Sequence, residues 1–555
     1  MSVPASDLIA ADLRRGELIG AYDRAKASLD AGEDDPRLRY LCVLALARAG
    51  ATAEAAERYR TLRIHRQGDV DSLSLWARIL KDIAVAAAGA RRPLRMRRAA
   101  DAYLRVYRQT RDFFPGINAA TLLRLSGDVA GAETVARDLL AYPALAEPLD
   151  YWAAASRAEA LLVLGRTSEA SDDLALARSK AGRDYGALSS TRRQLALLME
   201  DDAAYPERAG LLDILRPPRV AHLAAGGGLF DQHEEDDVGA MVDRRLRQEE
   251  AGFAVGTLWG AASLAAAERA LAHRAELHLV LPFSARDYVD RIERDLPPAE
   301  VARRRACLDG AATVTAVTAD GDLADPKLIE YAAVVARGLA RTRARQLSTD
   351  CVDILLEPAA PHVASADLGA DPAAPGPVRE IRAFLFADVL RFSTIPESRL
   401  PLFWSTFMAG IGETIDKAGA EILYRNTWGD AVFCVVAEAA AAADLALSVQ
   451  ETAARLRGRD RAAPELRIGL HHGPVFRGFD PIRRSATYFG TQVSRAARVE
   501  PIAPPGGVYV TEPFAAVLAA SDAVGFATEY VGVVPLPKRY GEHRMYRLAR
   551  SQAVG

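Results

Sequence analysis

Two aspartates carry the first chemical signal in this chain. Phe386-Ala387-Asp388 and Trp428-Gly429-Asp430 each bring an apolar, β-like run to its end on a carboxylate. An acid at a strand end or hairpin tip is exposed. A pair of them can hold two Mg2+ or Mn2+ ions over a triphosphate, because hard divalent cations take oxygen ligands. To meet, the two need a strand over 381–386, a hairpin built from 421–425 and 431–436, and glycine at 429 for the tight turn. The stretch 389–393 is expected to turn into a helix. Its free backbone N–H groups, at Phe392 and Ser393, suit phosphate oxygens. His471 and His472 also invite a metal reading, but neighbours on a strand point to opposite faces and cannot share one ion. Packing is the expectation for both.

Further runs follow in order: Leu466-Arg467-Ile468-Gly469-Leu470-His471-His472-Gly473, Tyr488-Phe489-Gly490-Thr491-Gln492-Val493-Ser494-Arg495-Ala496-Ala497-Arg498, Gly506-Gly507-Val508-Tyr509-Val510-Thr511 and Leu536-Pro537-Lys538. With the two aspartates, these resemble the class III nucleotidyl cyclase catalytic domain of adenylate and guanylate cyclases, over roughly residues 378–550. The resemblance implies an α+β, ferredoxin-like domain and an intramolecular reaction. In it the ribose 3′-oxygen attacks the α-phosphate and pyrophosphate leaves. It assigns Asp388 and Asp430 to two Mg2+ or Mn2+ ions, Arg498 to the transition state and Lys538 to the terminal phosphates.

Departures from the family pattern bear on substrate and rate. Ser494 stands where an asparagine usually orients the ribose. Arg391 stands where glycine is usual. The base-reading positions hold Asn426 and Thr487 in place of lysine and aspartate (adenine) or glutamate and a small residue (guanine). Both can donate and accept hydrogen bonds. ATP is the prior choice within the family; a guanine or pyrimidine nucleotide stays open, as does a non-catalytic nucleotide-binding regulator. Trp428 either stacks on a base or fills the core, and core packing is the expectation. In the family, one subunit supplies the metal ligands and its partner the base readers and arginine, so a head-to-tail homodimer is implied.

The rest of the chain must position and control this domain. Its 555 residues exceed one ordinary core, so roughly two to four domains are expected. With 70 basic and 73 acidic side chains the net charge is −3, which gives no reason to expect nucleic acid or an anionic membrane as partner. The four cysteines are scattered and form no CxxC pair, as in a reducing cytosol. The first residues lack an apolar leader core, and no run of about 18 apolar residues occurs. A cytoplasmic location is expected.

Residues 1–206 read as an all-α helical repeat domain. Leu38 to Gly50, Asn118 to Asp128 and Ala158 to Arg166 repeat one phrase, an apolar helix stopped by glycine and followed by an alanine-rich helix. They resemble tetratricopeptide repeats. Phe114-Pro115-Gly116-Ile117-Asn118 looks like the helical regulatory region of apoptosis-signal-regulating kinases and bacterial relatives. A plain helical bundle is the alternative. Residues 217–357 alternate strand, glycine turn, helix and strand, the pattern of a Rossmann-like α/β domain. They loosely resemble the nucleotide-sensing relatives of cytokinin-activating phosphoribohydrolases. Gly226-Gly227-Gly228 there is either a phosphate cradle or a plain turn. Residues 358–378, rich in Pro, Ala and Gly, read as a mobile linker, with the catalytic candidate, 379–550, tethered behind it. An unknown protein or small-molecule regulator is expected at the helical repeats or the Rossmann-like domain.

Overall fold

The computed structural model describes residues 3–147, 150–200, 204–224, 232–318, 325–356, 377–460 and 463–551. Gly226-Gly227-Gly228 and nearly all of 358–378 lie outside the described residues.

The chain is helical from Ala5 to Ile214. Local sequence explains where these helices begin and stop. Asp35, Asp69, Asp112, Asp150 and Asp184 each accept a hydrogen bond from a first-turn backbone N–H, satisfying a donor that has no partner inside the helix. The helices Pro36–Arg48, Phe113–Leu125 and Tyr151–Val163 are followed by Gly50, Gly127 and Gly165 at φ 81°, 92° and 74°. These are the three stops of the repeated phrase, in a conformation that favours glycine.

The middle region forms a parallel sheet. Strands β1 (Arg219–Ala224), β2 (Ala251–Thr257), β3 (Glu276–Leu281), β4 (Thr313–Ala316) and β5 (Cys351–Leu355) lie in the order β4-β3-β2-β1-β5, and every pair is parallel. Helices between the strands bury β1, β2 and most of β3, which is why these read as short apolar runs, while the edge strand β4 is mostly exposed.

The second sheet contains β6 (Val378–Val389), β7 (Ile422–Trp428), β8 (Ala431–Val436), β9 (Leu466–Asp480), β10 (Ser485–Phe489), β11 (Val508–Thr511), β12 (Phe526–Pro535) and β13 (Glu542–Arg550). Its order is β12-β13-β11-β9-β6-β8-β7, with β10 paired to β9. β9 and β11 are parallel; the remaining pairs are antiparallel. The helices Ala409–Lys417 and Ala439–Arg459 pack on it, burying Ile411, Ile415, Leu445 and Val449.

The catalytic candidate does not hang free behind a linker. A connector helix, Pro326–Leu347, crosses from the parallel sheet to the second one. Tyr331 donates from its hydroxyl to the His472 carbonyl at 2.6 Å, and Arg341 reaches the Ala520 carbonyl at 2.8 Å. At Gly338 the connector backbone meets that of the helix Glu512–Ala520 so closely that a side chain would not fit. The helical region also docks directly: Tyr530 on β12 donates to Asp23 at 2.6 Å. One apolar core runs from Ile9 and Tyr22 through Tyr331 and Val335 to Ala383 and Leu470. Burial of these apolar surfaces explains the difference from the tethered arrangement.

Candidate active site

β6 runs through the centre of the second sheet, and its register places Asp388 opposite Arg467 on β9. On its other side β8 leads back through the hairpin turn, where Gly429 at φ 64° puts Asp430 next to Asp388. Burial, then the Asp388 charge and a hydrogen bond between the two carboxyls, push Asp430 above the ordinary carboxylate range. The structure thus brings these two predicted acids together.

It adds two residues that the sequence did not single out. Arg467 donates to Asp388 at 2.9 Å, and its Nε lies 2.9 Å from Glu500 Oε1, an ion pair without hydrogen-bond geometry. Glu500 is 8% exposed, and burial together with the charges of Asp388 and Asp430 pushes it up to about 7. Arg467 belongs to the run Leu466–Gly473, and Glu500 lies two residues past Arg498. Pairing 388 with 467 across β6 and β9 was the signal that could have found Arg467. The Asp388 and Asp430 carboxylates at one sheet end offer oxygen donors, which suit hard divalent cations such as Mg2+ or Mn2+, and Arg467 pairs with Asp388 on one side and Glu500 on the other. The two raised acids mark negative charge that a cation would neutralise. Asp388 and Asp430 would hold the ions, with Glu500 beside them.

The other candidates stand apart. Arg498 and Ser494 lie on the helix Thr491–Val499, opened by Gly490. Arg498 stacks over the Tyr540 ring at 5.8 Å, and its buried Nε has no hydrogen-bond partner among the described residues. Lys538 lies two residues before Tyr540 in the turn Pro537–Arg539, exposed and at φ 60°. Glu500, two residues after Arg498, turns instead toward the aspartates, as two 100° helical steps dictate. Among the described residues, no hydrogen bond or ion pair joins Arg498 or Lys538 to Asp388.

Asn426 is half-buried on β7 and Thr487 half-buried on β10. The two strands meet through Tyr424 and Tyr488, whose rings lie 6.1 Å apart. Phe392 and Ser393 fall in a single 3-10 turn, Phe392–Thr394, instead of a longer helix. Their N–H groups have no backbone acceptor among the described residues. Arg391 takes φ 59°, which is why glycine suits that position.

His471 and His472 are buried. His471 bonds Thr511 and Gln492, each at 2.8 Å, and His472 packs on Tyr331, as expected of packing histidines. Trp428 departs from the core expectation. It is 57% exposed, because β7 is an edge strand, and it stacks at 10° on Phe386.

A mixed sheet with a carboxylate pair at the end of its middle strands, behind a helical region and a parallel sheet, defines a multidomain chain with an α+β domain at residues 377–551. Comparison sharpens this. Residues 379–550 match the family of the adenylate and guanylate cyclase catalytic domain, and residues 16–123 match the tetratricopeptide repeats-sensor family. An adenylate cyclase of Streptomyces coelicolor is 31% identical over 134 residues, 23% of this chain and 32% of that protein. A pH-sensitive adenylate cyclase of Mycobacterium tuberculosis is 29% identical over 144 residues, 26% of this chain and 33% of that protein. The chain spans about a third of the length of the curated relatives it matches. Among solved structures, an adenylyl cyclase from P. aeruginosa shares 18% identity, covering 32% of this chain and 98% of that one with a TM-score of 0.29. No helix of the described residues is long and apolar enough to cross a membrane.

Proposed function

We propose that this protein converts a nucleoside triphosphate, ATP by preference, into a 3′,5′-cyclic nucleotide and pyrophosphate. The observation that carries this reading is the adjacency of Asp388 and Asp430, with Arg498 on the opposite side of its helix end. Two bound Mg2+ or Mn2+ ions would supply Lewis-acid activation of the 3′-hydroxyl and neutralise the triphosphate. Asp388 and Asp430 hold that charge in place. The N–H groups of Phe392 and Ser393 receive phosphate oxygens. Arg498 donates to the charge that builds on the α-phosphate, and Lys538 holds the terminal phosphates. Ser494, shorter than asparagine, orients the ribose with one donor, which lowers turnover. Asn426 and Thr487 read the base.

Because Arg498 faces away from its own carboxylates, a complete site needs a second copy of this chain. Exposed apolar groups on the same sheet fit that partner: Trp428 on β7, Phe479 on β9 and Ile482 at the hairpin tip are 57%, 65% and 92% exposed. A twofold pairing then makes two equivalent sites. The helical region and the parallel sheet, which touch the catalytic domain directly, regulate that pairing.

The test is purified protein with Mn2+ and each of the four nucleoside triphosphates, products resolved by mass spectrometry. Cyclic AMP is the expected main product. A different cyclic nucleotide corrects the base, and no cyclic product from any of the four refutes the reading.

A further inference from the structure

The helical region holds an open-mouthed cavity of about 630 Å3, lined by none of the residues of the candidate active site and independent of the function proposed above. It lies among the helices Pro36–Arg48, Val70–Val85, Phe113–Leu125, Tyr151–Val163 and Tyr185–Leu198. Its size falls in the range of small-molecule sites, roughly 300–1,000 Å3.

Its charges are unevenly satisfied. Arg48, Arg78 and Lys81 line it. Arg48 makes no ion pair or hydrogen bond through its side chain among the described residues, and its Nε is buried without an acceptor. Arg78 comes no nearer to Asp82 than 3.8 Å, and its hydrogen bond to Ser190 is 3.4 Å long. Lys81 donates at 2.8 Å to Gln194, a neutral amide. The Ser74 hydroxyl, 3% exposed, also lines the cavity, with no hydrogen-bond partner among the described residues.

The acids of the same cavity are already engaged. Glu159 accepts from Thr121 and from Gln194 at 2.8 Å. Asp69 and Asp112 cap their helices through the N–H groups of Ser72 and Phe114, at 2.9 and 2.8 Å. Asp71 is exposed at the rim. Burial and the neighbouring Arg78 charge hold Arg48 below its ordinary range and Lys81 down at about 8. Among the described residues Arg48 is without an acid, Arg78 holds Asp82 only at 3.8 Å and Lys81 meets a neutral amide; a buried cation so poorly paired is costly, and an incoming anion removes that cost. Flat apolar faces are supplied by Tyr40, Tyr103, Phe114 and Trp152.

We propose that this cavity binds a small organic anion, a phosphate or carboxylate carried on a flat ring, with its charge on Arg48, Arg78 and Lys81. The position suits control of the rest of the chain. The helix Tyr185–Leu198 lines the cavity with Ser190, Thr191 and Gln194. Its Ser189 and Arg192 bond the carbonyls of Leu347 and Ser348, at the end of the connector helix, at 2.6 and 2.5 Å.

The test uses the full chain in EDTA, which keeps metal-dependent nucleotide binding out of the measurement. Phenyl phosphate, benzoate and inorganic phosphate are titrated by calorimetry. Phenyl phosphate or benzoate should bind, and whichever is tighter identifies the anionic group. Arg78→Gln and Lys81→Gln should each weaken that binding at least about tenfold, the scale of one charged hydrogen bond. Arg48→Met should weaken binding while leaving the unliganded protein as stable or more so, since an unpaired charge is removed. A purely structural role for Arg48 predicts a lower melting temperature instead. The proposal is overturned if neither ring-bearing anion binds more tightly than about 1 mM. It is equally overturned if inorganic phosphate matches both, or if the Arg78 and Lys81 variants bind like wild type.

Discussion

Adding one methyl group at Gly338 should loosen the grip between the connector helix and the catalytic domain. A Cβ there would lie 1.8 Å from the Ala516 carbonyl oxygen and 2.4 Å from its carbon. Restoring an ordinary contact of 3.4 Å means parting the helices Pro326–Leu347 and Glu512–Ala520 by about 1.6 Å. Backbone cannot swing aside as a side chain can, so the cost falls in the upper part of the overpacking range of about 1–3 kcal/mol. Alanine returns about 0.5–1 kcal/mol of helix propensity. The net loss is then about 1–2 kcal/mol, which makes local opening of this contact roughly five- to thirtyfold more frequent. Amide hydrogen exchange across the two helices reads that change directly. Gly412→Ala is the control, because in the helix Ala409–Lys417 its Cβ would meet nothing within 4 Å. There the same substitution should slow exchange or leave it unchanged. If Gly338→Ala protects the two helices as well as wild type does, the close approach is refuted.

Three further expectations test the catalytic reading. Asp388→Ala and Arg498→Ala should each be inactive alone, yet an equal mixture should regain about a quarter of wild-type specific activity, since half the dimers carry one whole site of two; proven heterodimers without activity exclude the shared site. Changing Asn426 to Lys together with Thr487 to Asp should raise preference for ATP over the other triphosphates, and unaltered selectivity removes these residues as base readers. Glu500 is raised from 4.5 to about 7, so the metal-free folded state holds a proton that the unfolded state releases. That stabilisation is full below about 4.5 and lost as pH rises through about 7. Urea unfolding in EDTA should therefore show wild type losing stability relative to Glu500→Gln between about pH 5 and about pH 8, and parallel curves would contradict the shift.

The sequence made some of this legible and hid the rest for physical reasons. Asp388 and Asp430 could be read because each ends a local apolar run and glycine at 429 marks the turn. The repeated helix stops could be read because glycine at 50, 127 and 165 is a local signal. Arg467 escaped notice because its partner, Asp388, lies 79 residues away, and only strand register joins them. Trp428 looked like core because hydrophobicity does not reveal that β7 would be an edge. The connector helix was equally silent. Its docking depends on Gly338 meeting the Ala516 backbone, and nothing local marks either residue for that contact.

That docking limits what a fragment can report. A C-terminal piece beginning at residue 378 would keep every residue assigned to catalysis. It would lose the connector helix from the helix Glu512–Ala520 and the Tyr331 ring from His472. Ala515, Ala516 and the His472 ring would become newly wetted surface, next to a Tyr530 hydroxyl deprived of Asp23. A fresh apolar face of this kind favours self-association unrelated to the pairing that completes the site. Stickiness or low turnover in such a piece would describe its exposed cut face, and the proposed activity has to be measured on the whole chain.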